Sequence, residues 1–342
     1  MERFEYALIA LSGDFTTKEM EKLIYEGIGL KELLTSRISF LTEKKQKKML
    51  SNISQVEKYI EKYKNHLITY LDEVYPDILR NSYSPPTVIF FEGRKKLLLE
   101  EPAISIVGSR KATAYGINVA QKLAKELDEK GLVIVSGLAA GIDAAAHKGS
   151  LDSGGRTIAV LGTGIDVIYP SSNRELFLRI ANNGCIVSEF LPGTPPLKQN
   201  FPRRNRIIAG LSQAVLVVEA AIKSGSLITA KLALENGRDV FAVPGDITRK
   251  NSEGTNWLIK NGAKLITRIE DVLEEFPNFS TTIFKEEYPD SAVLNSLETG
   301  PMDFNQLLLA TGIEYGQLVE ELLDLQLKGF ITEDQGVWQL SP

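Results

Sequence analysis

The chain is poor in the residues that thiol and zinc chemistry require. Its 342 residues include one cysteine, Cys185, and two histidines, His66 and His147. A disulfide framework needs cysteine pairs and a Cys/His zinc cage needs four such ligands, so both are excluded. Any metal site would have to be built from carboxylates. Long apolar runs are missing as well: no stretch free of Asp, Glu, Lys and Arg exceeds twelve residues, the longest being 131–142 and 207–218. A membrane-spanning helix needs about twenty, so none is expected. The segment MERFEYALIALSGDF has acidic residues on both sides of its single Arg3 and no cleavage site, and does not read as a signal peptide. A cytoplasmic location is the expectation. What is present is ordinary for a globular protein, 43% hydrophobic and 24% charged residues, at a length that suggests two or three domains. The net charge of −5 speaks, as a total, against a polyanionic partner.

Three regions differ in pattern. Residues 1–80 read as a small helical domain, with Thr16 or Thr17 as the N-cap of KEMEKLIYEG and a second apolar-periodic run over 45–71. Gly27 and Gly29 are compatible either with the turn of a helix-hairpin-helix, which would contact a DNA backbone, or with a helix simply ended by glycine. VIFFEG (88–93) reads as a short strand. From Ala103 onward, Val/Ile-rich runs at 104–108, 132–137, 157–162, 185–189, 214–219, 239–243 and 264–266 alternate with helical stretches. Nearly unbroken apolar runs of this kind are strands buried on both faces of a parallel sheet. The fold class is therefore α/β, an extended, doubly wound, mostly parallel sheet over about 103–270, with ligands expected at the carboxyl ends of its strands. A linker is expected over 276–289. Three helical segments and a hairpin around Asp334-Gln335-Gly336 then predict a winged helix over 290–342.

The strand ends hold the chemistry. Gly108-Ser109-Arg110 offers backbone amides and a guanidinium fork to a phosphate. Ser136, Gly137 and Gly141 lead into the helix that contains His147. Ser224-Gly225-Ser226, with Ser226 as the expected N-cap of LITAKLALENG, would aim further amides at an anion. Neither a complete G-x-G-x-x-G nor a G-x-x-x-x-G-K-[ST] occurs, so dinucleotide binding and nucleoside-triphosphate hydrolysis have no support. The densest signal is KQNFPRRNRIIAG, in which Lys198, Arg203, Arg204, Asn205 and Arg206 flank Phe201. Cations that neutralise phosphates beside an aromatic that stacks a base are the ingredients of single-strand recognition, although a basic run is also what a solvated face looks like. Asp143, Asp166 and Glu189 lie near strand ends and would suit either acid–base work or the orientation of arginines. His147 would suit a base or a satisfied core histidine. No G-x-S-x-G elbow is present.

Charge by segment revises the total. Residues 103–270 hold 21 basic and 14 acidic residues, a net of +7, whereas 285–342 hold 2 and 11, a net of −9. The α/β domain is basic and the acidity belongs to the end of the chain.

The ordered set IVGSR (106–110), SGLAAGIDAAAH (136–147), LGTGIDVIYP (161–170), SEF (188–190), FPRRNRIIAGLS (201–212), VVEA (217–220), SGSLITA (224–230) and FAVPG (241–245) resembles the DNA-processing protein A family, DprA/Smf. The resemblance implies a non-enzymatic, single-stranded-DNA-binding recombination mediator that forms homodimers and loads the RecA recombinase during natural transformation, with no cofactor and no metal. It assigns the DNA site to Gly108, Ser109 and Arg110, to Lys198 and Phe201, and to the arginines of FPRRNR. Arg110 would clamp a phosphate and Phe201 would stack a base. It also implies that the α/β region is an extended Rossmann-like domain over 81–275 and that the helical domain over 1–80 is SAM-like. The winged helix departs from a DNA-reading pattern: EYGQLVEELLDLQLKG carries four acidic residues and one lysine, which repels phosphates and points instead to protein contact or autoregulation. The alternative function is a Rossmann-like nucleotide phosphoribohydrolase. For its P-G-G-x-G-T-x-x-E motif, however, the chain offers Pro244-Gly245-Asp246 alone.

Overall fold

The computed structural model describes residues 1–100, 102–276, 291–297, 300–327, 331–334 and 336–340. Residues 1–276 form one compact unit and the remainder of the chain another.

The first unit opens with α1 (Arg3–Gly13), α2 (Thr17–Tyr25), α3 (Leu30–Thr35) and α4 (Glu43–Tyr63). Thr16 is the N-cap of α2 in a reciprocal capping box with Glu19, which satisfies two orphan amides at once. The helical run predicted to reach residue 71 stops at Tyr63, and Leu67–Thr69 is strand β1. After α5 (Asp77–Arg80) and β2 (Val88–Gly93), the repeating βα pattern begins. It comprises β3 (Ala103–Val107), α6 (Ala114–Glu129), β4 (Val133–Ser136), α7 (Ile142–Leu151), β5 (Thr157–Val160), α8 (Arg174–Asn183), β6 (Cys185–Ser188), α9 (Asn200–Gly210), β7 (Ala214–Val217), α10 (Gly225–Glu235), β8 (Asp239–Ala242), α11 (Glu253–Lys260), β9 (Lys264–Leu265) and α12 (Glu270–Leu273).

The nine strands form one sheet in the order β1-β2-β6-β5-β4-β3-β7-β8-β9. β3 through β9 pair in parallel, and β1 and β2 add an antiparallel edge next to β6. The chain moves outward from β3 through β6, then returns to lay β7 on the other side of β3. That reversal opens a crevice at the carboxyl ends of β3 and β7, where doubly wound sheets bind ligands.

Successive residues of a strand face opposite sides. Ile158 and Val160 therefore join the apolar cluster that contains Ile207 and Ile208 of α9, while Ala159 between them joins the cluster on the other face. This second cluster also holds Tyr6 and Ile9 of α1, Met49, Val56 and Ile60 of α4, and Phe177 and Ile180 of α8. The N-terminal helices thus share a core with the sheet, and the packing does not part at residue 80.

The second unit contains α13 (Ala292–Leu297), β10 (Met302–Asp303), α14 (Phe304–Thr311), α15 (Tyr315–Leu327), β11 (Ile331–Asp334) and β12 (Val337–Leu340). A short strand not foreseen from the sequence, β10, completes an antiparallel sheet β10-β12-β11. Val293, Leu294, Leu297, Leu307, Leu318, Leu322, Leu325 and Ile331 form its core. The expected linker, apart from Phe276, lies outside the described residues, as does Gln335 of the expected turn.

Candidate nucleic-acid interface

The crevice beside β3 is an open cleft of about 850 Å³. Its first wall is the loop from Gly108 to Thr113. A side chain at Gly108 would meet Ile142 at 2.6 Å and the Glu219 carbonyl at 2.8 Å, so the close approach of three chain segments requires glycine there. The Ser109 amide donates to the Glu219 carbonyl at 2.7 Å, and the Ser109 hydroxyl accepts from the Lys111 amide at 3.1 Å. The Ser109 amide, expected to face an anion, is thus spent on holding the loop. Glu219 also accepts from the Thr113 amide and hydroxyl, at 2.9 and 2.5 Å. These bonds fasten the loop to the end of β7 and leave Arg110 exposed, its guanidinium 5.1 Å from the centre of the Phe201 ring.

The second wall is the start of α10. The N-cap is Ser224, not Ser226: its hydroxyl accepts from the Ser226 amide at 3.3 Å and lies 2.7 Å from the Ser226 hydroxyl. Gly225 is exposed, with open space where a side chain would stand. A helix start of this kind places positive potential at the cleft.

The third wall is α9, which contains the whole FPRRNR motif. At about 100° per residue, a helix spreads adjacent side chains to different faces. Phe201 and Asn205 face the cleft. Arg203 and Arg206, three residues apart, turn to the other side, where both pair with Oε2 of Glu189 and Arg203 also reaches Asp14 at 3.0 Å. Arg204 points inward and is 3% exposed, donating to the carbonyls of Gly137 and Val160 at the ends of β4 and β5. Of the three arginines expected to contact DNA, none presents an unengaged guanidinium to this cleft. Arg204 braces the floor of the cleft, and Arg203 and Arg206 line a different cavity.

Phe201 is packed against Gly162, whose substitution would place a carbon 2.8 Å from its ring, and against Tyr169, with ring centres 5.5 Å apart. Tyr169 is 43% exposed and extends the aromatic surface of the cleft. Sequence reading missed it, although it stands in the LGTGIDVIYP run that follows β5. Lys111, Lys223 and Lys250 were missed too, because isolated lysines carry no motif. With Arg110 and Lys198 they make five exposed cations lining the cleft, none in an ion pair among the described residues.

Beneath the floor, burial lowers the pKa of Arg204 to about 10 against the pull of Asp143, and burial likewise raises that of Asp143. His147 is fully buried, accepting from the Leu138 amide at 3.3 Å and lying 2.7 Å from the Thr157 hydroxyl. Burial, with Arg204 nearby, pushes its pKa down to about 3. It is the satisfied core histidine of the two alternatives. Burial raises the Cys185 thiol to about 12, which leaves it inert. Asp166 accepts from the Gly193 amide at 2.7 Å, so the three strand-end carboxylates all hold structure. No group of three or more His, Cys, Asp or Glu side chains among the described residues could hold a metal ion. The α2–α3 hairpin is similarly occupied: Glu32 takes the Gly29 amide at 3.0 Å and Glu5 takes the Leu30 amide at 2.7 Å. The amides that a helix-hairpin-helix would offer to phosphate are engaged by carboxylates.

A family model of DNA recombination-mediator protein A matches residues 66–277, a span that contains the sheet, α9 and every wall of the cleft. The chain belongs to that family. Among its relatives, the DNA processing protein DprA of Streptococcus pneumoniae is 50% identical over 206 residues, 60% of this chain and 72% of the relative. Protein Smf of Escherichia coli is 40% identical over 293 residues, 81% of this chain and 78% of the relative. The X-ray structure of the pneumococcal DprA superposes with a TM-score of 0.71 at 39% identity, over 80% of this chain and 98% of that one. A structure of Helicobacter pylori DNA processing protein A, described for its single-stranded DNA binding mode, superposes with a TM-score of 0.57 at 33% identity, over 62% of this chain and 96% of that one. In this member of the family, no helix among the described residues is long and apolar enough to cross a membrane.

Proposed function

We propose that this protein binds single-stranded DNA in the cleft at the β3/β7 crevice and acts there without catalysis, as a cytoplasmic recombination mediator that loads a RecA-type recombinase onto incoming strands during natural transformation. One observation carries the reading: five exposed cations, in no ion pair among the described residues, surround the Phe201–Tyr169 aromatic pair at the switch point of the sheet. Cations in this arrangement track a phosphate backbone, and exposed rings take unpaired bases whatever their identity. Arg110, Lys198, Phe201, Asn205 and the Ser224–Ser226 turn form the contact set, joined by Tyr169, Lys111, Lys223 and Lys250. The engagement of Asp143, Asp166 and Glu189 in structure speaks against a phosphoribohydrolase. A homodimer accords with the family, and light scattering tests it. The second unit has the element order of a winged helix, and its acidity fits a role in protein contact.

Fluorescence anisotropy with oligo-dT and a matched duplex tests the central claim. Oligo-dT binds more tightly than the duplex, and Arg110→Ala and Lys198→Ala each weaken it at least fivefold without lowering the melting temperature. Equal affinity for the two DNAs would sink the reading.

A further inference from the structure

The second unit carries charge of one sign. Among its described residues there are seven aspartates and glutamates and no lysine, arginine or histidine. Its apolar side chains divide into two sets. Leu307, Leu318, Leu322 and Leu325 of its helices fill the core. Leu309, Tyr315 and Leu323 are left on the surface, 85%, 66% and 52% exposed.

Leu309 is the most exposed of the three and belongs to a defined surface. In α14 it follows Gln306 by three positions and Ala310 follows by four, so the three share one helix face. The turn leading into β10 runs beside that face. Gly300, Pro301 and Met302 from the turn, with Gln306, Leu309 and Ala310 from the helix, line an open hollow of about 460 Å³. None of the six is charged. Contiguous exposed apolar surface of this kind marks an interaction site. The acidity of the unit repels nucleic acid and attracts a basic partner. An amphipathic helix satisfies both features at once, since it inserts apolar side chains into a groove and turns its polar face to the surroundings.

We propose that this hollow seats the apolar side chains of a basic amphipathic helix from a partner protein. The proposal rests on the reading of the second unit as a protein-contact element, and adds to it the surface used and the chemistry of the partner. Charge complementarity brings the helix to the unit, and burial of its leucines against Leu309, Met302 and Pro301 holds it there. The cations of the DNA cleft repel the same helix, so the two sites do not compete for it.

The test is fluorescence anisotropy of a labelled synthetic Leu/Lys peptide of about 18 residues, long enough to be helical, titrated with the full chain. Its leucines recur at helical spacing and form one apolar face. A control peptide of the same composition has its leucines scattered around the helix. The ordered peptide binds about tenfold or more tightly than the control. Leu309→Gln weakens it about tenfold, the effect of one lost leucine contact, with melting temperature and oligo-dT affinity unchanged because Leu309 lies in neither the core nor the cleft. Glu314→Gln combined with Glu320→Gln weakens it severalfold and flattens its salt dependence. Equal binding of the two peptides, or unchanged peptide affinity in Leu309→Gln, would overturn the proposal. If the double glutamate variant alone weakened binding, the protein-contact reading would survive without this hollow; if neither variant did, both would fall. Self-association of the full chain that Leu309→Gln abolishes in light scattering would also overturn it, by placing a second copy over the hollow.

Discussion

Arg204 and Arg110 belong to motifs of similar appearance and have opposite roles. Arg110 stands exposed over Phe201, while Arg204 is buried on the carbonyls of Gly137 and Val160. Removing Arg204 leaves those carbonyls without their donor and Asp143 without its cation. Arg204→Ala is expected to cost about 1–3 kcal/mol for each buried group left unsatisfied, measurable by urea unfolding. His147 adds a pH dependence. Its pKa is about 3 in the folded protein against 6.5 for the free side chain, so between those values the unfolded chain binds a proton that the folded one refuses. Stability contributed by this group is complete above pH 6.5 and is lost on acidification toward pH 3, by up to about 1.4 kcal/mol per pH unit. Urea titrations at several pH values, compared with those of His147→Gln, isolate the slope. The chemical type of both residues was legible in the sequence. Their burial was not, because a basic run reads the same whether its members face water or a strand end.

Among the elements, the loop between β3 and α6 illustrates positioning. Glu219, at the end of β7, takes the amide and hydroxyl of Thr113 and thereby sets where Arg110 stands. Glu219→Gln removes one accepting oxygen without touching any cleft cation. Oligo-dT affinity is expected to fall severalfold by anisotropy with little change in melting temperature, whereas unaltered affinity would show that the loop is held by other contacts. α9 divides the FPRRNR run between environments: helical geometry sends Phe201 and Asn205 to the cleft, Arg204 inward, and Arg203 and Arg206 to Glu189. Helical spacing alone would have separated Arg203 and Arg206 from Phe201. Which face met the cleft depended on where α9 docked against the sheet.

For the whole molecule, the uneven distribution of charge governs the response to salt. Five cations in no ion pair among the described residues line the cleft, and each phosphate neutralised on a single strand contributes about −0.7 to the log–log salt slope, so a slope no steeper than about −3.5 is expected. Anisotropy titrations between 50 and 300 mM salt, on the order used for such slopes, check it. A chain ending at Phe276, the boundary of the first compact unit, is expected to bind oligo-dT at least as tightly as the full chain, since the segment removed is acidic. The sequence by itself determined the doubly wound sheet, the order of eight of its nine strands along the chain, the basic character of the α/β region and the family, because apolar periodicity, turn residues and motif order are local properties written residue by residue. Tertiary structure alone decided which strands became neighbours, that the N-terminal helices share the core of the sheet, and which cations remain free for a ligand. Those outcomes depend on contacts between residues far apart in the chain, and a side chain's charge is available to a ligand only after folding has settled whether water or another part of the protein surrounds it.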